Sequence, residues 1–243
     1  MTKYGLIGYP LSHSFSRKYF TEKFERESIQ DHEYDLFPID KITQLPLLLQ
    51  AEIDLKGLNV TIPYKEQVIP FLDELTEVVK EIQACNCIRI LNGKLIGYNT
   101  DVIGFEKTLE RKLSNHHQRA LVLGTGGAAK AVHYVLSKKG IEYLEVSRTK
   151  VDGSITYQEI GEQVISSHTL IINTTPLGMY PNIEEAPNLP YHLLSDQHYL
   201  YDLVYNPTKT KFLLEGETRG AVIENGADML VIQAEASWDI WNQ

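Results

Sequence analysis

Apolar and polar positions alternate along the chain in short blocks that predict strands followed by helices. In the first part of the chain, strands are predicted over 3–9, 32–39 and 54–62. Helices are predicted over 16–28 and over 41–50, the latter despite Pro46. Because the predicted strands and helices alternate along the chain, we expect an α/β fold with a mainly parallel sheet.

A β-hairpin is predicted over 87–101. Two β-like runs flank Asn92 and Gly93, the pair that best satisfies the positive φ angles of a type I′ turn. An amphipathic helix is predicted to follow over 102–113.

The pattern restarts after the polar stretch 114–119, in which we expect His116 and His117 to be solvated. A strand, a glycine turn, a helix and a second strand are predicted over 119–149, and further strands over 169–176, 199–205 and 221–226. Residues 228–241 have apolar side chains at helical spacing. Two domains are expected, since a domain usually holds on the order of 100 to 200 residues and the chain has 243.

Charge and composition narrow the class of protein. The formal net charge of -9 argues against a nucleic-acid or membrane-surface partner, because a polyanion would be repelled. The apolar run at the N-terminus breaks at Pro10, and no run approaches the roughly 20 apolar residues of a membrane span. We therefore expect a cytosolic protein without a signal peptide.

The two cysteines, Cys85 and Cys87, flank Asn86. A disulfide across one intervening residue is strained, and no other Cys or His lies at metal-ligand spacing. We interpret both cysteines as packing residues and expect no metal site.

A glycine turn lies between a predicted strand and a predicted helix. Gly124, Gly126 and Ala129 form G-x-G-x-x-A, which lets backbone N–H groups approach a pyrophosphate at the positive end of the helix. The alternative is a merely tight turn. The strand and helix on either side favour dinucleotide binding.

The end of the next strand favours NADP over NAD. Arg148 suits a ribose 2′-phosphate, Lys150 adds charge, and Ser147 and Thr149 offer hydroxyl groups. Glu145 is the competing residue, because a carboxylate would bind the 2′-hydroxyl of NAD.

Polar residues in the first half suit a polyhydroxylated substrate. Ser14 and Ser16 present two hydroxyls from one loop, although Ser16 alone is also explained as a helix cap. Groups at predicted strand ends and loops, which can meet at one edge of a parallel sheet, are Asn59, Thr61, Lys65, Asn86 and Asp101. Lys65 and Asp101 make a sensible proton relay, and the alternative is a surface salt bridge.

With these motifs assembled, the chain closely resembles the shikimate dehydrogenases, nearly from end to end. Its segments similar to the family's motifs are GYPLSHSFS, NVTIPYKE, ACNCI, GYNTDVIGF, GTGGAAKAV, SRT, INTTPLGMYP, YDLVYNPTKTKFL and NGADMLVIQAEASWDIW. The resemblance implies NADPH-dependent reduction of 3-dehydroshikimate to shikimate in aromatic amino-acid and chorismate biosynthesis.

The resemblance also implies two domains, with the last helix packing back on the first. Residues 1–101 and 228–243 would form the substrate domain, and 102–227 the Rossmann-like NADP domain. Lys65 and Asp101 would be the catalytic pair. Substrate binding would fall to Ser14, Ser16, Thr61, Asn86, Tyr205 and Gln233, and cofactor binding to Glu77, Gly124, Gly126, Gly127, Ala128, Ser147, Arg148, Thr149, Leu203 and Gly226. A monomer or homodimer is expected.

Three departures from the family pattern matter. Arg17 stands where a proline often follows the two serines, and Ser147 replaces the usual asparagine before Arg148. The segment after Thr149 is short, which leaves little room for the helix that usually follows there. This shortened segment is expected to affect the affinity and specificity for NADP more than any other property.

Two rival functions stay open. A quinate/shikimate dehydrogenase or another paralogue of altered substrate range would share most motifs and can use NAD. A non-catalytic ligand-binding or regulatory protein could share the fold, but the presence of both Lys65 and Asp101 argues against it.

Overall fold

The computed structural model describes residues 1–11 and 14–243, so Ser12 and His13 of the GYPLSHSFS segment lie outside the described residues. The first elements are β1 (Thr2–Gly8), α1 (Phe15–Arg26), β2 (His32–Pro38), α2 (Leu45–Ala51), β3 (Leu55–Val60), α3 (Tyr64–Gln67), β4 (Glu74–Leu75), α4 (Glu77–Ile82), β5 (Cys87–Leu91), β6 (Lys94–Tyr98) and α5 (Thr100–Leu109). The later ones are β7 (Arg119–Leu123), α6 (Gly127–Lys138), β8 (Glu142–Ser147), β9 (Ser154–Thr156), α7 (Glu162–Ser167), β10 (Leu170–Asn173), β11 (Tyr199–Asp202), α8 (Lys211–Glu217), β12 (Val222–Glu224) and α9 (Ala227–Trp241).

The chain divides into two compact units, one of residues 1–103 with 231–243 and one of residues 104–230. The division passes through α5 and α9, the same two helices in which the predicted domain limits fall. The assignment of substrate to one unit and cofactor to the other stays a prediction.

The first unit is built on a mixed sheet in the order β2-β1-β3-β5-β6-β4. Side chains of β1 alternate between the two faces of the sheet: Tyr4 and Leu6 pack in one apolar cluster, and Ile7 packs in the other. Ala234 and Trp241 of α9 pack in the cluster that contains Tyr4, so the prediction that the last helix packs on the first domain is confirmed.

The hairpin between β5 and β6 is confirmed. The strands are antiparallel, and Asn92 and Gly93 have φ angles of 51° and 78°. Pro46 lies in the first turn of α2, where its missing N–H leaves no intrahelical hydrogen bond unmade.

The second unit is a wholly parallel sheet in the order β12-β11-β10-β7-β8-β9. Numbered within the unit, this is the 3-2-1-4-5-6 order of the dinucleotide-binding Rossmann fold. The predicted α/β fold class is therefore confirmed. The trimming is visible between β8 and β9, where the six residues 148–153, all of them described, form no helix.

The structure corrects two expectations near the start of this unit. Helix α5 begins at Thr100 rather than 102, because Asn99 Oδ1 accepts a hydrogen bond from the Val102 N–H at 3.2 Å and caps the helix. His116 is exposed as expected, but His117 is only 3% exposed. Its Nδ1 accepts from the Ser114 N–H, and burial lowers the pKa of His117 to about 4.

Candidate functional site

Lys65 and Asp101 form a close ion pair in the first unit. Lys65 Nζ lies 2.6 Å from Asp101 Oδ2, and the two side chains are 19% and 13% exposed. A pair this enclosed differs from the freely solvated salt bridge that was the alternative. Part of the Lys65 side chain remains exposed to solvent.

Local structure holds each partner in place. Lys65 lies on the short helix α3, whose neighbouring Tyr64 donates its hydroxyl to the Ile39 carbonyl at 2.7 Å. The Cys85 N–H donates to the Lys65 carbonyl at 2.7 Å. Asp101 lies in the first turn of α5, which Asn99 caps, and the Asn99 amide is itself held by the Ala84 carbonyl at 2.9 Å.

A buried polar network extends from the start of α5 to α9. Thr100 N donates to Asn86 Oδ1 at 2.6 Å, and Asn86 Nδ2 donates to Thr100 Oγ1 at 3.0 Å. The same Thr100 hydroxyl lies 3.4 Å from Gln233 Oε1 and 3.2 Å from Ser237 Oγ. Two predicted substrate residues, Asn86 and Gln233, are thus joined through Thr100.

Asn59 belongs to this network rather than to an open surface. Its side chain is buried, its Oδ1 accepts from Tyr34 Oη at 2.9 Å, and its Nδ2 donates to Ser237 Oγ at 3.0 Å and to the Asn86 carbonyl at 3.3 Å. The amide protons are therefore committed within the first unit. Ser16 also interacts with the Tyr34 hydroxyl, whose pKa is raised by burial.

The structure decides which serine caps α1. Ser14 is the N-cap, and its Oγ accepts from the Arg17 N–H at 3.3 Å, whereas Ser16 lies within the helix. The capping explanation for Ser16 is wrong, because the helix begins at Phe15. A proline at 17 could not donate this bond, so the departure at Arg17 enables the cap. Thr61, after β3, is half-buried.

In the second unit the glycine turn has room for a phosphate group. Gly124 has a φ of 105°, and a Cβ there would meet Thr174 Oγ1 at 2.8 Å, so only glycine suits this turn. At Gly126, the N-cap of α6, a Cβ would meet nothing within 4 Å. The N–H groups of Gly127 and Ala128, the first two of the helix, have no partner within it, and such an open N-terminus fits a pyrophosphate.

The end of β8 carries the predicted NADP residues. Arg148 and Thr149 are exposed just beyond it, and Ser147 is buried with its hydroxyl bonded to the Thr149 carbonyl. Glu145 Oε2 lies 3.5 Å from His133 Nε2 of α6, so this carboxylate faces a helix and not the strand end. The donor set at the strand end is cationic and fits a phosphate better than a hydroxyl pair.

Leu203 and Gly226, the predicted nicotinamide-side residues, are direct neighbours. A Cβ on Gly226 would clash with the Leu203 carbonyl oxygen. Asp202 holds this region: it is 0% exposed and accepts from Asn173 Nδ2 and the Val204 N–H. Tyr205 follows on the exposed side of the same loop.

Glu77 belongs to the first unit, whereas the other predicted cofactor residues belong to the second. Its side chain is 89% exposed and pairs with Lys80 at 2.6 Å.

Three residues of the site were missed from sequence: Asn99, Thr100 and Ser237. The signal for Asn99 was present, since Asn is a favoured N-cap residue. Ser237 gave no local signal, because the side chains that it joins, Asn59 and Thr100, lie far away along the chain.

Within residues 1–11 and 14–243, no group of three or more His, Cys, Asp or Glu side chains is arranged to hold a metal ion. Among the helices of the same described residues, none combines the length and apolar character that a membrane crossing requires.

Comparison with known proteins gives a consistent result. A family model described as the shikimate dehydrogenase substrate binding domain matches residues 6–88. The shikimate dehydrogenase (NADP(+)) of Caldicellulosiruptor bescii is 36% identical over 99% of this chain and 89% of its own length.

Solved structures agree with this match. The shikimate dehydrogenase of Aquifex aeolicus has a TM-score of 0.88 and 33% identity, covering 100% of this chain and 92% of that one. The shikimate 5-dehydrogenase of Thermus thermophilus, solved with NADP(H) and shikimate, has a TM-score of 0.87 and 27% identity, covering 99% and 93%.

Proposed function

Because the chain belongs to the shikimate dehydrogenase family, we propose that it catalyses the reversible NADPH-dependent reduction of 3-dehydroshikimate to shikimate. This reaction is a step of chorismate and aromatic amino-acid biosynthesis. The observation that carries the proposal is the enclosed Lys65–Asp101 pair, 2.6 Å apart in the unit that the substrate-domain model matches.

The cofactor supplies a hydride to the C3 carbonyl carbon when it is bound. Gly124, Gly126, Gly127 and Ala128 would hold its pyrophosphate, and Ser147, Arg148 and Thr149 its 2′-phosphate end. Leu203 and Gly226 would flank the nicotinamide, and Glu77 would supply a polar group near the cofactor.

Lys65 supplies the proton. As the carbonyl oxygen gains negative charge, the Lys65 ammonium donates one proton to it, and the product is a hydroxyl group. The neutral amine then regains a proton from solvent. Asp101 stabilises the ammonium and fixes its direction, and in the oxidative direction Lys65 accepts the hydroxyl proton.

The remaining polar groups hold the substrate ring. Ser14 accepts a bond from the Arg17 N–H but keeps its own O–H to donate, and Ser16, Thr61, Asn86, Gln233 and Tyr205 supply further contacts. Asn59, predicted from sequence as a direct contact, is proposed instead to position Ser237 and the Asn86 carbonyl, since its amide protons are committed there.

The proposal is tested by following the NADPH absorbance band with shikimate and NADP, and again with NAD and with quinate. Shikimate-dependent reduction of NADP is expected. Preference for quinate or NAD would favour the paralogue, and no turnover with any pair would favour a non-catalytic protein.

Lys65→Ala tests the proton step. We expect kcat to fall by about 10² to 10⁴, because general acid-base catalysis commonly contributes that much. Lys56→Ala, an exposed lysine on β3, is the control and should keep wild-type kcat. Near-normal turnover of folded Lys65→Ala protein would rule out the assigned role.

A further inference from the structure

An ion pair lies beside the predicted 2′-phosphate residues of the second unit. Lys150 Nζ is 2.7 Å from Glu159 Oε1, and the side chains are 59% and 45% exposed. Pairs of this kind contribute little to stability. The position of the pair suggests a consequence for ligand binding instead.

Glu159 is held more firmly than an ordinary surface carboxylate. Its Oε2 accepts from Thr156 N at 2.7 Å and from Thr156 Oγ1 at 2.9 Å, and the two residues form a capping box. The hydrogen bond from Lys150 and those from Thr156 lower the pKa of Glu159 to about 2. The residue is therefore a fixed negative charge.

The shortened β8–β9 connection brings this charge next to the cations. The two strands are parallel neighbours with Ser147 opposite Thr156, so the residues after each strand leave the sheet at the same edge. Residues 148–150 thus lie beside residues 157–159. Burial raises the pKa of Tyr157 and the Arg148 charge opposes it, which agrees with this proximity.

We propose that Glu159 is a specificity-determining residue that neutralises Lys150 and so reduces the preference for NADP over NAD. This inference rests on the proposed function. A 2′-phosphate would be attracted by Arg148 but repelled by the fixed Glu159 carboxylate, and it would compete with that carboxylate for Lys150. The ribose hydroxyls of NAD are neutral and would be affected little.

Binding of two nicotinamide-free probes to the full chain tests the proposal. Adenosine 2′,5′-bisphosphate and adenosine 5′-monophosphate are titrated calorimetrically at low salt into wild type, Glu159→Gln, Lys150→Gln and the double variant. We expect Glu159→Gln to bind the bisphosphate about fivefold more tightly and the monophosphate unchanged. The gain should shrink as salt is added.

The Lys150 variants identify the source of the gain. Lys150→Gln alone should weaken bisphosphate binding, because it leaves the Glu159 carboxylate without its neutralising partner, and adding it to Glu159→Gln should abolish the gain. Glu217→Gln is the matched control, since Lys209 and Glu217 form a similar exposed pair, 2.8 Å apart, elsewhere in the unit. It should leave both affinities unchanged.

Equal bisphosphate affinity in wild type and Glu159→Gln would overturn the proposal, and so would a gain in the Glu217→Gln control. Failure of the proposed function looks different. Normal probe binding without shikimate turnover would remove the activity and keep the specificity element, whereas shikimate turnover without binding of either probe would remove the specificity element alone.

Discussion

The Asn59 amide donates to the Ser237 hydroxyl across 3.0 Å and so joins strand β3 to the C-terminal helix α9. Ser237 also lies 3.2 Å from the Thr100 hydroxyl, next to Asp101, and donates to the Gln233 carbonyl at 2.9 Å. Ser237 has no expected ligand contact of its own, but it is bonded to Asn59, Thr100 and Gln233, of which Gln233 is an expected substrate contact.

Ser237→Ala is expected to raise the KM for shikimate several-fold and to leave the KM for NADP unchanged. The substitution leaves one donor of the buried Asn59 unpaired, which also costs about 1–3 kcal/mol of unfolding free energy. Steady-state kinetics and urea denaturation measure the two effects. Ser167→Ala, which removes a similar bond back to the Gln163 carbonyl, is the control and should change neither KM. A uniform fall in kcat with both KM values unchanged would contradict the positioning role.

Gly126→Ala is expected to weaken NADP binding at least tenfold without loss of stability. The added methyl meets no protein atom within 4 Å, so it would fill only the space at the start of α6 where a pyrophosphate would bind. Gly161→Ala is closely matched: Gly161 is the extended N-cap of α7, and its Cβ also meets nothing within 4 Å. Calorimetric titration with NADP and thermal melts of both variants check the prediction. Equal NADP affinity in the two variants would argue against a cofactor site at Gly126.

Glu235→Gln is expected to destabilise the protein more than Lys23→Met. Lys23 is 4% exposed and donates to Glu235 and Glu27, so the loss of one carboxylate leaves a buried ammonium partly uncompensated. We expect a loss of about 1–3 kcal/mol for Glu235→Gln. Lys23→Met removes the buried charge and keeps an apolar chain of similar length. Urea denaturation measures the free energy of unfolding of both variants. A Lys23→Met protein less stable than Glu235→Gln would show that the Lys23 charge itself stabilises the unit.

The buried Asp202 is expected to make stability depend on pH. Burial raises the pKa of Asp202 from 3.8 to about 6, so the folded state binds a proton that the unfolded state releases. Its contribution to stability is fully present below about pH 4 and is lost as the pH rises through 6. Between pH 4 and 7, the free energy of unfolding of the wild type should fall by up to about 3 kcal/mol relative to that of Asp202→Asn. Urea denaturation of both proteins across this pH range measures the difference in their free energies of unfolding. A difference that does not change with pH would contradict a raised pKa of Asp202.

Local patterns were enough to predict much of the fold. The turns at Asn92-Gly93 and at Gly124 need positive φ angles, which Asn and Gly adopt more readily than other residues, so both can be predicted from the local sequence. The proline in α2 and the strand alternation in β1 have the same local origin. Element limits were harder to predict, as at α5, because a side-chain cap moved the start to Thr100.

The chain by itself determined the order of strands and helices, the glycine turn, and the presence of a lysine and an aspartate suited to proton transfer. Only the tertiary structure decided that Lys65 and Asp101 pair, that Asn59 points to Ser237, that His117 is buried, and that Glu159 holds Lys150. The physical reason is the separation along the chain between the residues that interact. Backbone turns and side-chain periodicity depend on residues a few positions apart, whereas burial and ion pairing depend on groups that folding brings together from different secondary-structure elements.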